Sequence, residues 1–230
     1  MHSHRVNGIR FFWVTMLNIL ITIAEILGGV FSGSLALLSD AFHNLGDSAS
    51  ILMGYFAQVI GSRPETERRT YGYRRAEILS AFLNSLFLII VSIFLMVEAV
   101  RRLFHPQPVD GQLMLIVAVI GFIANLASAL LLQQGSKDSL NIKATYLHIL
   151  SDALSSIGVI IGALVITFWN IYWLDPVLTI LVAIYICYEV CPVIHQTLSI
   201  LMQSSPHLDF DQIKTDITQI EGVIGVHHVH

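Results

Sequence analysis

Residues 39–47 read S-D-A-F-H-N-L-G-D, a polar and acidic run set inside strongly hydrophobic sequence. Asp40, His43, Asn44 and Asp47 fall at i, i+3, i+4 and i+7, which on a helix is one stripe. Ionisable groups at membrane depth are costly, and they usually face a bundle interior or a water-filled path. A second such pair, His148 and Asp152, is again spaced four residues apart. Two H-x3-D pairs, each aiming an imidazole and a carboxylate at one point, are the ligands of a divalent cation waiting to be brought together.

The rest of the chain supports a bilayer setting. Of 230 residues, 55% are hydrophobic and 12% charged, about half the charged share of a soluble domain. Mean hydropathy is +0.72. Six apolar segments are predicted at residues 11–30, 35–60, 78–104, 113–133, 144–169 and 176–198. The first is too long for a signal-peptide core and reads as an uncleaved span. The fold class expected is therefore an all-α membrane protein, a six-transmembrane-helix bundle over residues 1–204.

Lysine and arginine placement orients it. With both termini cytoplasmic, ten of the twelve basic residues lie inside, and only Arg101 and Arg102 lie outside. No basic stripe suggests nucleic acid.

Depth can then be compared between spans. At about 1.5 Å per residue, His43 and Asp47 lie roughly 16 and 10 Å above the cytoplasmic edge, and His148 and Asp152 about 6 and 12 Å above it. The bands overlap, so one shared site is geometrically allowed. Asp40 falls near 21 Å by the same arithmetic, which suits the path outward from the site better than a fourth ligand. Two imidazoles and two carboxylates are a tetrahedral zinc set, less oxygen-rich than one suited to manganese. Packing of polar side chains between helices would explain a single buried histidine, but two H-x3-D pairs at matching depth ask for a cation.

Other features are weaker. Residues 38–46 and 150–158 form a faint repeat that aligns Asp40 with Asp152 and His43 with Ser155, and repeats around a midplane site are common in transporters. Glu25 and Asn125 either line the path or satisfy neighbouring helices. Gly158 and Gly162 read as a close-packing G-x3-G. Glu98 beside Arg101 and Arg102 reads as a satisfied interfacial charge. Cys187 and Cys191 read as small apolar filler rather than a soft-metal pair. Beyond residue 204 the chain turns soluble: Asp209 can cap a helix, Phe210, Ile213, Ile217 and Ile220 give its apolar stripe, and residues 223–230 alternate as a strand. One helix and one strand do not make a stable domain, so residues 205–230 read as the truncated start of a cytoplasmic domain.

The run L-L-S-D-A-F-H-N-L-G-D, the stretch Y-G-Y-R-R-A-E at 71–77 and L-H-I-L-S-D-A-L-S-S in the fifth segment resemble the cation diffusion facilitators. The paired H-x3-D form is similar to their zinc-transporting subgroup, and the likeness extends to G-V-I-G-V-H-H-V-H at 222–230. The resemblance implies a homodimer of six-span subunits, in a bacterial inner membrane, exporting Zn2+ from the cytoplasm in exchange for protons. It implies His43, Asp47, His148 and Asp152 as transport ligands and a ferredoxin-like α/β cytoplasmic domain, whose first strand carries a regulatory metal-binding histidine matching His227. Cobalt, nickel and cadmium are alternative cargoes, and a metal sensor or scaffold without transport is the alternative function. An enzyme is not expected: there is no H-E-x-x-H motif, and four ligands on zinc leave no position for a reacting water.

Overall fold

The computed structural model describes residues 2–61, 73, 75–133, 140–204, 210–220, 222, 223, 225 and 226. Six long helices follow one another: α1 (His2–Ser32), α2 (Leu35–Gly61), α3 (Arg75–Phe104), α4 (Gly111–Gln133), α5 (Leu140–Trp169) and α6 (Leu174–Leu201). A short α7 (Phe210–Thr218) lies beyond them. Among the described residues there is no strand. Residues 223, 225 and 226 of the expected strand are irregular, and the remainder, with His227 and the capping Asp209, lies outside the described residues.

Five helices contain stretches long and apolar enough to cross a membrane: Trp13–Ser32, Arg75–Phe104, Gly111–Gln133, Thr145–Trp169 and Leu174–Leu201. The sixth long helix, α2, has 27 residues, enough for about 40 Å. Its apolar character is broken by Ser39, Asp40, His43, Asn44, Asp47 and Ser48. Five of these six are buried; Asp47 alone is half-buried. Their burial shows that the polar residues turn toward the other helices. The surface outside is the reverse, with Leu20, Ile90, Phe94, Ile123 and Tyr188 exposed, as expected where lipid is the solvent.

Helix ends follow from local chemistry. Gly33 (φ 73°) makes the tight turn between α1 and α2, and Asn170 (φ 53°) and Gln203 (φ 57°) take the left-handed conformation that closes α5 and α6. The start of α2 is held by another helix. Asp175, fully buried in the first turn of α6, accepts hydrogen bonds from the Ser34 hydroxyl and from the backbone N–H groups of Leu35 (2.9 Å) and Ala36 (3.1 Å). The Ser34 hydroxyl in turn accepts from Leu37 N–H at 3.1 Å. Every free N–H of the first turn of α2 is thereby satisfied, and the carboxylate sits at the positive end of the helix dipole. Arg102 donates to the Gly33 carbonyl at 2.6 Å while pairing with Glu98 at 3.3 Å, which accounts for the interfacial charge cluster.

α3 lies along α6 and α4 along α5, while α1 packs on α2 and α4. One core joins Ala36 and Leu37 of α2 to Met114 and Ala118 of α4 and to Val159, Ala163 and Ile166 of α5. A second joins Leu35 to Leu95 and Ala99 of α3. Contact of α5 with α2 and α6 is sparser, and a cavity of about 250 Å³ opens between those three helices.

Candidate metal site

α2 and α5 bring the two H-x3-D pairs together. His148 Nε2 lies 3.0 Å from Asp47 Oδ2 and 3.7 Å from Asp152 Oδ2. His43 Nε2 lies 3.8 Å from Asp47 Oδ2 and 3.9 Å from Asp152 Oδ1. Ligand atoms of His43, Asp47 and Asp152 all fall within 4.8 Å of one another, and the His148 ring lies beside this group, its centroid 6.0 Å from that of His43. His43 and Asp152 are buried, Asp47 and His148 half-buried. His43 Nδ1 is buried without a hydrogen bond, and the near neighbour of Asp47 Oδ2 is the His148 ring nitrogen at 3.0 Å.

That geometry suits one ion. Donor atoms at about 2.0–2.2 Å from a tetrahedral zinc stand roughly 3.3–3.6 Å apart. The observed separations, from 3.0 to 3.9 Å, bracket this range.

Asp40 stands apart from the four, lining the cavity with His43 and Asp152. The hydroxyls of Ser155 and Ser156 lie 3.5 Å from its two oxygens, though their shorter bonds, 2.8 and 2.9 Å, go back to the Asp152 carbonyl. The two repeat segments thus face each other across the cavity. Tyr185 of α6, with no distinguishing signal in the sequence, also lines it. Its ring meets His43 edge-on at 6.5 Å, and its hydroxyl lies 3.5 Å from that of Ser151.

Two expectations change. Asn44 leaves the predicted stripe: its Nδ2 donates to Glu25 of α1 at 2.8 Å. A helix turns about 100° per residue, so His43 and its neighbour face different helices. The G-x3-G pair also divides. A Cβ on Gly162 would strike Leu178 of α6, whereas Gly158 has nothing within 4 Å and borders the cavity. Cys187 is half-buried and Cys191 exposed, both free.

With this site in view, comparison with known proteins defines the class. Residues 11–202 match the model of the cation efflux transmembrane domain, and the chain belongs to that family. It is a membrane transporter and not an enzyme. It is 37% identical over 234 residues to the zinc transporter ZitB of Pectobacterium atrosepticum, covering 100% of this chain and 73% of that protein. It is 38% identical to the metal cation efflux system protein CzcD of Cupriavidus metallidurans, covering 90% of this chain and 66% of that protein. To the cadmium, cobalt and zinc/H(+)-K(+) antiporter of Bacillus velezensis it is 37% identical, covering 90% of this chain and 67% of the other. The chain thus spans about two thirds to three quarters of these relatives' lengths.

Proposed function

We propose that the protein exports Zn2+ from the cytoplasm in exchange for protons, through one site formed by His43, Asp47, His148 and Asp152. The observation that supports this reading is the cluster of His43, Asp47 and Asp152, with ligand atoms within 4.8 Å of one another, and the approach of His148 Nε2 to Asp47 (3.0 Å) and Asp152 (3.7 Å). The names of the relatives point the same way, to zinc and, in one case, to proton exchange. Cadmium and cobalt, named in that same relative, are competing cargoes.

Metal is bound by neutral imidazole and ionised carboxylate, so arrival of the ion displaces protons from the ligands. In an inward-facing state the ion enters from the cytoplasmic side, below Asp47 and His148. Rocking of the helices then exposes the site to the opposite side, where returning protons compete for the same nitrogens and oxygens and free the ion. Asp40 stands on that outward path and passes the departing cation along the cavity. In this reading all six long helices span the bilayer, with α2 sheltered by its neighbours and both termini cytoplasmic. The membrane is a bacterial inner membrane and the working unit a homodimer. Residues 205–230 begin a cytoplasmic regulatory and dimerisation domain of ferredoxin-like fold, in which His227 binds regulatory metal.

Equilibrium zinc binding to purified protein tests the site. Asp152→Ala is expected to weaken binding at least 100-fold; unchanged affinity would remove the shared-site model.

A further inference from the structure

Glu25 is a buried carboxyl that the metal site does not use. It is the one ionisable side chain in the apolar stretch Trp13–Ser32 and is 2% exposed. One oxygen accepts the Asn44 hydrogen bond. The other rests against α4 at Gly121, where an added Cβ would stand 2.5 Å from it. The backbone of α4 is open at one residue to admit a carboxyl head. α4 carries no ionisable side chain along its length, and neither α2 nor α4 carries a lysine or arginine. Asp40 of α2 and Asp152 of α5 are the buried acids that line the cavity.

Helix packing does not explain a carboxyl here. Glutamine would accept the same bond from Asn44 and fill the same hollow without a charge to compensate. A carboxylate among other acids, out of reach of a fixed cation, is tolerated only if a mobile cation balances it. Two are available to this protein: a proton on Glu25 itself, and the positive field of a divalent ion at the neighbouring site. Asn44 adjoins His43 in sequence, so α2 presents a ligand on one face and the Glu25 contact on another.

We propose that Glu25 is a proton-binding site coupled to the metal site across α2. It holds a proton while the metal site is without its ion and releases it when a divalent cation binds Asp47 and Asp152. This rests on the antiport reading above. Without the ion, a proton is what balances a buried carboxyl that faces no lysine or arginine on α2 or α4. With the ion bound, its two positive charges supply that balance, the O–H bond breaks and the proton passes to water. One proton per metal then leaves from a group that is not a ligand, in addition to those displaced from the imidazoles. Binding of metal and proton becomes mutually exclusive by charge as well as by shared atoms.

Glu25→Gln separates this role from a structural one, because it keeps the hydrogen bond and the volume. The dependence of zinc affinity on pH is expected to become shallower, by up to about tenfold per pH unit where Glu25 would release its proton, and zinc-driven counterflow without a pH gradient is expected to persist. Proton release on zinc binding should fall by about one per site, and stimulation of flux by an imposed pH gradient should fall at least tenfold. Glu25→Asp, which retains a titratable group, should restore gradient stimulation in part, and it serves as the readout if the glutamine variant does not fold. Wild-type proton release and gradient stimulation in Glu25→Gln, or no gradient stimulation in a folded Glu25→Asp, would overturn the proposal. Absence of gradient stimulation in the wild type itself would instead overturn the antiport reading on which it stands.

Discussion

His148 Nε2 and Asp47 Oδ2 stand 3.0 Å apart on helices that touch only sparsely, α5 and α2. Close approach of two ligand atoms across a loose interface places the site where two bodies can separate. In the proposed transport cycle, metal binding draws α2 and α5 together and metal release lets them part.

Loss of one ligand should be felt in binding before stability. His148 is half-buried, so His148→Ala leaves little cavity, although it takes from Asp47 the ring nitrogen 3.0 Å away. Zinc affinity measured by calorimetry is expected to drop at least 100-fold, with the thermal midpoint of the metal-free protein shifted by no more than a few degrees.

Acidification should weaken binding. Both histidines must be neutral to coordinate, and an unperturbed imidazole titrates near 6.5. Each proton that zinc displaces makes affinity fall by up to roughly tenfold per pH unit in the range where the displaced group is protonated. Calorimetry in buffers of different ionisation enthalpy, between pH 8 and pH 6, should show affinity declining and proton release accompanying zinc.

The Asp175 cap predicts a stability effect far from the ligands. Asp175→Ala strands the N–H groups of Leu35 and Ala36 in a buried setting and removes the Ser34 partner. Hydrogen bonds to a charged group contribute about 1.5–3 kcal/mol each, so a loss of about 3–5 kcal/mol is expected. Asp175→Asn, which keeps one acceptor, should lose less. Both are read from thermal unfolding in detergent. An alanine variant as stable as wild type would mean that α2 does not depend on α6 for its start.

The divided glycine pair separates packing from passage. Gly162→Leu must displace Leu178 and should destabilise the protein by about 1–3 kcal/mol. Gly158→Leu meets no neighbour but fills the cavity beside Asp40. It should leave stability and zinc affinity near wild type while cutting zinc flux at least tenfold in proteoliposomes.

Much of this was legible in the residues, and the reasons differ by feature. The helices announced themselves by length and apolarity, and the candidate ligands by H-x3-D spacing in sequence where charge is expensive. Depth arithmetic then put His43, Asp47, His148 and Asp152 in overlapping bands, and the helices bring them together. Asp40 was separated from them by the same arithmetic. Asn44 was misjudged because a stripe spanning i to i+7 is wide, and its two edges meet different helices. Asp175 gave no signal, since an acid at a helix start is ordinary and its partners, Ser34 to Ala36, lie about 140 residues away. Tyr185 was invisible for the same reason: an aromatic in an apolar helix is unremarkable until a cavity forms beside it. Glu25 was conspicuous as a lone carboxylate, but its partner Asn44 and the opening at Gly121 depend on how three helices cross.

The central claim is that one four-ligand site carries zinc across the membrane against protons. Zinc flux into proteoliposomes, with and without an imposed pH gradient, tests it most directly when wild type and His148→Ala are measured side by side. The account predicts wild-type flux that rises with the gradient and a His148→Ala variant at background under both conditions. Gradient-independent wild-type flux, or undiminished flux in His148→Ala, would contradict it.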